Sequence, residues 1–371
     1  MTHVLITGGA GFIGSHLADL LLVRGYQVRV LDSLIPQVHG ESAARPDYLD
    51  KDVELLHGDV RNPVLTRRAL EGVDAVVHLA AAVGVGQSMY QIADYVGTND
   101  LGTAVLLEAL QGHPVGRLVV ASSMSIYGEG LARTPDGRTV EPEDRPVERL
   151  KRGLWEPEGP GGAVLRPLPT PETKRPALSS VYALNKYTQE RLCLVFGRAY
   201  DVPTTALRFF NVYGTRQALS NPYTGVLAIF ASRLLNGRPP LIFEDGQQRR
   251  DFVHVRDIAR ACVAALERPE AAGAAINVGS GVPRTVEDVA RAIARAVGRP
   301  DLQPQVTGRY RAGDIRHCYA DIERARTLLG FAPEEDFTAG LAELAGWLAG
   351  EVAIDRVDQA TEELARRGLV A

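Results

Sequence analysis

The sequence predicts an α/β protein: a doubly wound parallel sheet with a smaller C-terminal domain interleaved with it. Three observations predict it. Short β-branched runs alternate with helical stretches through the first half of the chain. A glycine-rich turn, Gly8-Gly9-Ala10-Gly11-Phe12-Ile13-Gly14, joins the first such run to the first helix. After about Gly225 the alternation becomes irregular, as a second domain built onto the sheet would make it.

The elements follow in order. His3–Thr7 reads as a buried strand, and residues 15–24 as a helix stopped by Gly25. Strands follow at 27–31, 53–56, 75–79 and 117–121, with helices at Pro63–Leu70 and 99–110 between them. The alternation breaks between about Leu131 and Leu178, a stretch rich in Pro, Gly and charge. It reads as a long surface excursion, and loops of that length are usually lids, interfaces or disordered segments. A helix over 179–200 and the strand Thr204–Phe209 resume the pattern. Then come a helix at Val226–Leu235, strands at 241–243 and 251–255, a helix at 256–266 and the strand Ala275–Val278. The tail beyond Glu351 reads as one polar helix.

Composition narrows the class. The chain has 371 residues, long for one compact domain and natural for one large or two closely joined ones. Hydrophobic residues make up 45% and charged residues 23%, enough for a sizeable core. Net charge is −4 with both signs mixed, so nucleic acid is not the expected partner. The three cysteines, Cys193, Cys262 and Cys318, are far apart and odd in number, which fits reduced thiols better than a disulfide scaffold. No apolar run approaches the roughly 18 residues of a membrane span, and no signal-peptide pattern precedes the first strand. A soluble, cytoplasmic protein with no membrane or metal partner is expected.

The glycine turn carries the first chemistry. Gly8, Gly11 and Gly14 are spaced G-x-x-G-x-x-G between a strand and a helix. Such a turn lets the backbone approach a pyrophosphate and aims the free N–H groups of Gly11, Phe12, Ile13 and Gly14 at that anion. Asp32 stands at the end of the second strand, about twenty residues on, where a carboxylate accepts from the adenosine ribose and repels a 2′-phosphate. The Rossmann arrangement and NAD, rather than NADP, are therefore expected. Asp59 and Val60 follow the third strand, where the adenine edge would lie. Leu79, Ala80 and Ala81 end the fourth, small enough for the cofactor to lie close. His78 reads as a core histidine.

Tyr182-Ala183-Leu184-Asn185-Lys186 places a tyrosine and a lysine four apart on one helix face. A free tyrosine, with a pKa of about 10, is no base at neutral pH, and a nearby ammonium is expected to lower it. A hydroxyl from the run 119–128, at the end of the fifth strand, would hydrogen-bond the substrate oxygen as hydride leaves its carbon.

Together these residues resemble the extended short-chain dehydrogenase/reductases, and within them the nucleotide-sugar epimerases and dehydratases. The resemblance spans roughly residues 4–348 apart from 131–178. It rests on TGGAGFIGSH, HLAA, the SxYG after strand five, YALNK, RFFNVYG (208–214) and RRDFVHVRD (249–257). It implies Ser123 as the catalytic hydroxyl, Tyr182 as the base and Lys186 as its partner, the last two also touching NAD. It implies Asn211, Arg250, Arg311 and Asp314 as contacts of the sugar diphosphate and nucleotide ribose, a task suited to guanidinium forks. Cys318 aligns with a position that gates the pocket in related galactose epimerases, where a small residue leaves room at C2, although cysteine is also a common core filler. Residues 221–225 would border the sugar.

The reaction is read from the positions after Ser123. Dehydratases of this family carry Thr-Asp-Glu there, and the decarboxylases a glutamate close by; this chain has Met124 and Ser125. What remains is a 4-epimerase: oxidation at C4, rotation of the keto sugar, and re-reduction on its other face. A nucleotide-ketosugar reductase or dehydrogenase stays open beside it. A dehydratase, a decarboxylase and a non-catalytic NAD-binding protein are less favoured. The expected substrate is a UDP- or dTDP-hexose, with a lean toward 6-deoxy sugars such as dTDP-L-rhamnose and with UDP-hexose, UDP-N-acetylhexosamine and UDP-uronic acid open. The resemblance also implies a homodimer formed by helices near 94–110 and 182–198. The expected division is an NAD-binding domain over 1–210, joined by 250–278; a substrate-binding domain over 211–249 and 279–350; and a helical tail over 351–371.

Overall fold

The computed structural model describes residues 2–41, 43–219, 221, 223, 225–311, 313–351, 355 and 357–370. Seven strands form its main sheet: β1 (His3–Thr7), β2 (Gln27–Asp32), β3 (Glu54–His57), β4 (Ala75–His78), β5 (Arg117–Ser123), β6 (Thr204–Phe209) and β7 (Ala275–Val278). Their order is β7-β6-β5-β4-β1-β2-β3, and every pairing is parallel. The chain runs outward in both directions from β1, so a crevice opens beyond the carboxyl ends of β1 and β4.

Both faces of this sheet are covered, which is why its strands are continuous apolar runs. Among the described residues the nine longer helices are α1 (Phe12–Val23), α2 (Pro63–Leu70), α3 (Gly102–Gly112), α4 (Val181–Ala199), α5 (Val226–Leu235), α6 (Val255–Glu267), α7 (Val286–Ala296), α8 (Phe337–Leu348) and α9 (Val357–Arg366). Alternate side chains of β1 enter opposite cores. Val4 and Ile6 pack with Leu17 and Leu21 of α1 and Ile258 and Cys262 of α6. Leu5 packs on the other face with Leu70, Leu106, Leu110 and Cys193. A third core, around Phe230, Phe252, Ile293 and Leu344, belongs to the C-terminal part.

Several boundaries differ from the expected ones for identifiable reasons. β5 runs on to Ser123 rather than 121, because its ladder with β6 continues to the pair Phe209–Ser123. The helix expected at 99 is preceded by a π-helical turn, Val96–Leu101, with Asn99 buried inside it. The strand expected over 251–255 is Arg249–His254, since α6 begins at Val255 with His254 as its cap. This strand leaves the main sheet. It pairs with Asn211–Tyr213, Pro283–Thr285 and His317–Cys318 in a small sheet of its own.

The stretch 131–178 is not a loose excursion. It contains a three-stranded sheet (Ala132–Arg133, Thr139–Val140, Arg166–Pro167), a short helix (Val147–Leu150) and a hairpin (Glu158–Gly159 with Ala163–Val164). Buried charged groups tie it down, with the Arg145 side chain 2% exposed between Glu129 and Glu244. The tail is also docked: α9 buries Ala360, Thr361 and Leu364, and Arg233 of α5 pairs with Asp355 and Asp358. Among the described residues no helix is long and apolar enough to cross a membrane.

Candidate active site

The glycine turn is shaped by contact as well as by conformation. Gly8 has φ +69°, and a β-carbon on it would lie 2.9 Å from the Ala80 backbone at the end of β4. A β-carbon on Gly14 would lie 2.5 Å from Gly9 Cα, so α1 can cross the turn closely only with glycine there. Among the described residues no side chain caps α1, leaving the first-turn amides of Phe12, Ile13 and Gly14 for an anion. Asp32 Oδ2 accepts from Ala10 N at 3.0 Å and Oδ1 from Leu34 N at 2.9 Å, fixing the carboxylate beside the turn. His39 Nε2 stands 3.6 Å from Oδ1. The bare helix start, the close-packed glycines and this carboxylate fit NAD. Asp32→Ala is expected to weaken NAD binding about 10- to 100-fold, the loss of charge-assisted hydrogen bonds. Titration of NAD and NADP into the variant checks this; unchanged selectivity would leave Asp32 as a tie for the turn only.

The other cofactor-side residues divide. Leu79 N donates to Thr7 O and Ala80 N to Thr7 Oγ1, at 3.1 and 3.3 Å. Asn99 clamps Ala82 from both sides, Oδ1 accepting from its N–H and Nδ2 donating to its carbonyl, which fixes the segment holding Ala81. The sequence reading passed over Asn99; the π-helical turn around it is the structural sign of a constrained position. Asp59 is turned to Arg61, 2.6 Å away, whose hydrogen bonds hold the carboxyl below its ordinary pKa. Val60 lies in the second core. His78 is buried between Thr7 and Thr103, and burial takes its pKa down to about 3, so it is neutral.

Ser123 ends β5, and Tyr182 and Lys186 lie on the first turns of α4, which Ser180 caps through Ala183 N. The Ser125 hydroxyl and N–H both reach Ser123 Oγ, at 2.9 and 3.2 Å. Burial raises the Tyr182 pKa, and a hydrogen bond from Ser123 pulls it back. The expected lowering by lysine is corrected here: Lys186 Nζ points along its own helix and donates to Gln189 Oε1 at 2.7 Å. Burial brings Lys186 itself down to about 8. Gln189 in turn donates to Thr103 Oγ1 and Ala80 O, linking the lysine to the end of β4.

A buried network missed by the sequence reading lies behind this pair. Ser122 Oγ donates to Glu190 Oε2 at 2.7 Å, and Arg208 grips both Glu190 oxygens at 2.7 and 2.9 Å. Arg208 also donates to Tyr127, and Tyr127 to Asn277. Tyr95 stands near Tyr182 on one side and near Tyr90 and Tyr223 on another, the last two sharing a 2.7 Å hydrogen bond. Of the expected sugar-side run 221–225, Pro222 and Thr224 lie outside the described residues.

The small sheet gathers most of the remaining residues. Asn211 lies opposite Phe252, and its buried Oδ1 has no partner among the described residues. Arg250 pairs in register with Cys318 and donates to the carbonyls of Arg249, Ile315 and Arg316, 3.8 Å from Asp314 Oδ1. Arg311 lies over the Phe243 ring at 4.8 Å, and its buried Nε also has no described partner. Cys318 is fully buried in the main core, its thiol 3.8 Å from Thr170 Oγ1 and pushed up to about 12 by burial.

Comparison with known proteins agrees with this geometry. The model of the NAD dependent epimerase/dehydratase family matches residues 4–149 and 162–279. A dTDP-L-rhamnose 4-epimerase of Burkholderia thailandensis is 36% identical over 354 residues, covering 94% of this chain and 95% of that protein. The crystal structure of a Thermotoga maritima UDP-glucose 4-epimerase with UDP-glucose matches with TM-score 0.76 and 30% identity, covering 94% of this chain and 99% of the other. A Bacillus cereus UDP-glucuronic acid 4-epimerase, solved with UDP-glucuronic acid and NAD, matches with TM-score 0.76 and 27% identity over the same shares. With the glycine turn, Asp32 and the Ser123–Tyr182 pair in place, the chain belongs to the NAD-dependent epimerase/dehydratase family, and its cofactor is NAD.

Proposed function

We propose that this chain is an NAD-dependent nucleotide-sugar 4-epimerase. The observation that carries the reading is the placing of Ser123, at the end of β5, against Tyr182 of α4, with Met124 and Ser125 following the serine. Neither residue bears a carboxyl group, so the pair can move a proton at one hydroxyl but lacks the added acid and base of an elimination. Tyr182 takes the proton of the sugar 4-hydroxyl and returns it in the second half of the cycle. Ser123 hydrogen-bonds the same oxygen while Ser125 holds Ser123 in place. The first turn of α1 and Asp32 would hold NAD, which when bound would supply the hydride acceptor and donor for C4. Lys186 serves the cofactor side, and Asn211, Arg250, Arg311 and Asp314 hold the sugar diphosphate and its nucleoside. Cys318, fully buried with its thiol 3.8 Å from Thr170 Oγ1, would act on the pocket through that residue.

The proposed substrate is a UDP- or dTDP-hexose, and the rhamnose epimerase relative supports trying a dTDP-6-deoxyhexose first. The test is incubation of the purified protein with a panel of such sugars, without added cofactor, and NMR of the products. A C4 epimer is expected from one of them. Turnover only of a 4-keto sugar with supplied NADH would replace this reading with a reductase.

The same proposal keeps the expected division into an NAD-binding and a substrate-binding part, and a cytoplasmic location. It includes a homodimer, supported by exposed Val96, Leu101, Leu184 and Val195 along the paired helical segments. A single monomeric species in sedimentation velocity would dismiss the dimer.

A further inference from the structure

We infer that the 131–178 insertion is a nucleotide-positioning element: Arg145, Trp155 and Glu156 hold the turn containing Arg311 and Asp314 in the shape that receives a nucleoside diphosphate. The inference rests on the proposed function, which puts the diphosphate at that turn.

The family match is interrupted over 150–161, the stretch that carries Trp155 and Glu156. That stretch meets the chain around the turn on both sides. On the approach, the Trp155 ring packs 6.2 Å from Tyr310, next to Arg311, at an interplanar angle of 51°. At the turn itself, Arg145 Nη2 donates to the Asp314 carbonyl at 2.8 Å, while Nη1 donates to Trp155 O at 2.9 Å. One guanidinium therefore joins the insertion to the residue expected to meet the nucleotide. On the exit, Glu156 Oε1 accepts from Arg316 at 2.6 and 2.9 Å, and Oε2 lies 2.8 Å from His317 Nε2.

The parts of the fold shared with the family hold the same chain differently. Glu129 accepts from the backbone N–H groups of Arg316 and His317, and Arg250 donates to the carbonyls of Ile315 and Arg316. Those contacts fix 315–317. The hold at Tyr310 comes from the unmatched stretch, and the hold at the Asp314 carbonyl from Arg145, which lies within the matched residues and is tied to that stretch through Trp155 O. Arg316 is 1% exposed and is shared among Glu156, Glu244 and Asp245. Burying such a cluster carries a desolvation cost that a packed apolar contact would avoid, so its product is geometry more than stability. A turn already in its binding shape loses less freedom when the ligand arrives, which appears as affinity.

This separates a positioning role from a catalytic one. The reacting carbon is handled by Ser123 and Tyr182, so a loosened turn weakens ground state and transition state alike. KM then rises while kcat holds.

The experiment compares Glu156→Gln and Trp155→Ala with the parent protein and with Arg311→Ala. Calorimetry measures binding of UDP and dTDP, kinetics give kcat and KM for the epimerised sugar, and bound NAD is quantified. Both insertion variants are expected to weaken the preferred nucleotide and raise KM about tenfold, with kcat within about twofold and NAD content unchanged. The parent affinity in both variants, with Arg311→Ala impaired, would overturn the inference alone. Loss of NAD together with nucleotide would mark a merely structural role and overturn it as well. A parent protein that binds neither nucleotide, or an Arg311→Ala protein that binds like the parent, would remove the diphosphate from this turn and take the proposed function with it.

Discussion

Tyr182→Phe is expected to lower kcat by about 10³-fold, within the range that general acid–base catalysis supplies, while the protein keeps its fold and its NAD. Under the proposed function the phenol oxygen takes and returns the C4-hydroxyl proton, and phenylalanine fills the same volume without it. The deletion leaves Ser123 in place, because its Oγ still accepts from the hydroxyl and N–H of Ser125. The backbone N–H of residue 182 keeps its 3.0 Å bond to Ser88 Oγ, so the helix start is undisturbed. The change should therefore appear in kcat and kcat/KM together, with KM and the melting temperature near those of the parent. Turnover, bound NAD and melting temperature on one preparation check it. A variant retaining a tenth or more of the parent kcat would remove Tyr182 from the proton transfer.

Arg208→Leu is expected to cost about 3–5 kcal/mol of stability, the penalty for stranding a buried charge. Glu190 has no exposed side-chain surface and Arg208 only 7%, and among the described residues the guanidinium is the one ion-pair partner of that carboxylate. The loss would reach the site from two directions. Glu190 lies one turn beyond Lys186 on α4, and its other bond is to Ser122, the neighbour of Ser123 on β5. A fall in melting temperature on the order of 10 °C is expected. Adding Glu190→Leu should restore a good part of it, because two apolar groups in place of a buried ion pair are tolerated far better than one charge alone. A single variant as stable as the parent would show that water reaches Glu190.

What could be read along the chain is what neighbouring residues decide among themselves. The strand, glycine turn and helix at 3–23 are a local steric arrangement, and Gly8 and Gly14 stand where backbone approach admits no β-carbon. The same locality made Tyr182 and Lys186 one face of α4, and Asp32 the end of β2. A family resemblance over those motifs carried the remainder, down to Ser123.

Only the tertiary structure decided which distant groups neutralise one another. Arg145 and Asp314 are 169 residues apart, and Glu129 and Arg316 are 187 apart. Nothing in the periodicity of 131–178 distinguishes a docked segment from a loose one, since its composition is that of a surface loop. Lys186 turning to Gln189, Cys318 sinking beneath Thr170, and Glu190 sharing its charge with Arg208 are choices of the same kind. Hydrophobic period and turn chemistry are set by residues within one or two turns of each other. A buried charge must find its partner wherever the fold brings one, so the sequence determined the sheet and the positions of Ser123 and Tyr182, and the packed structure determined what holds them in place.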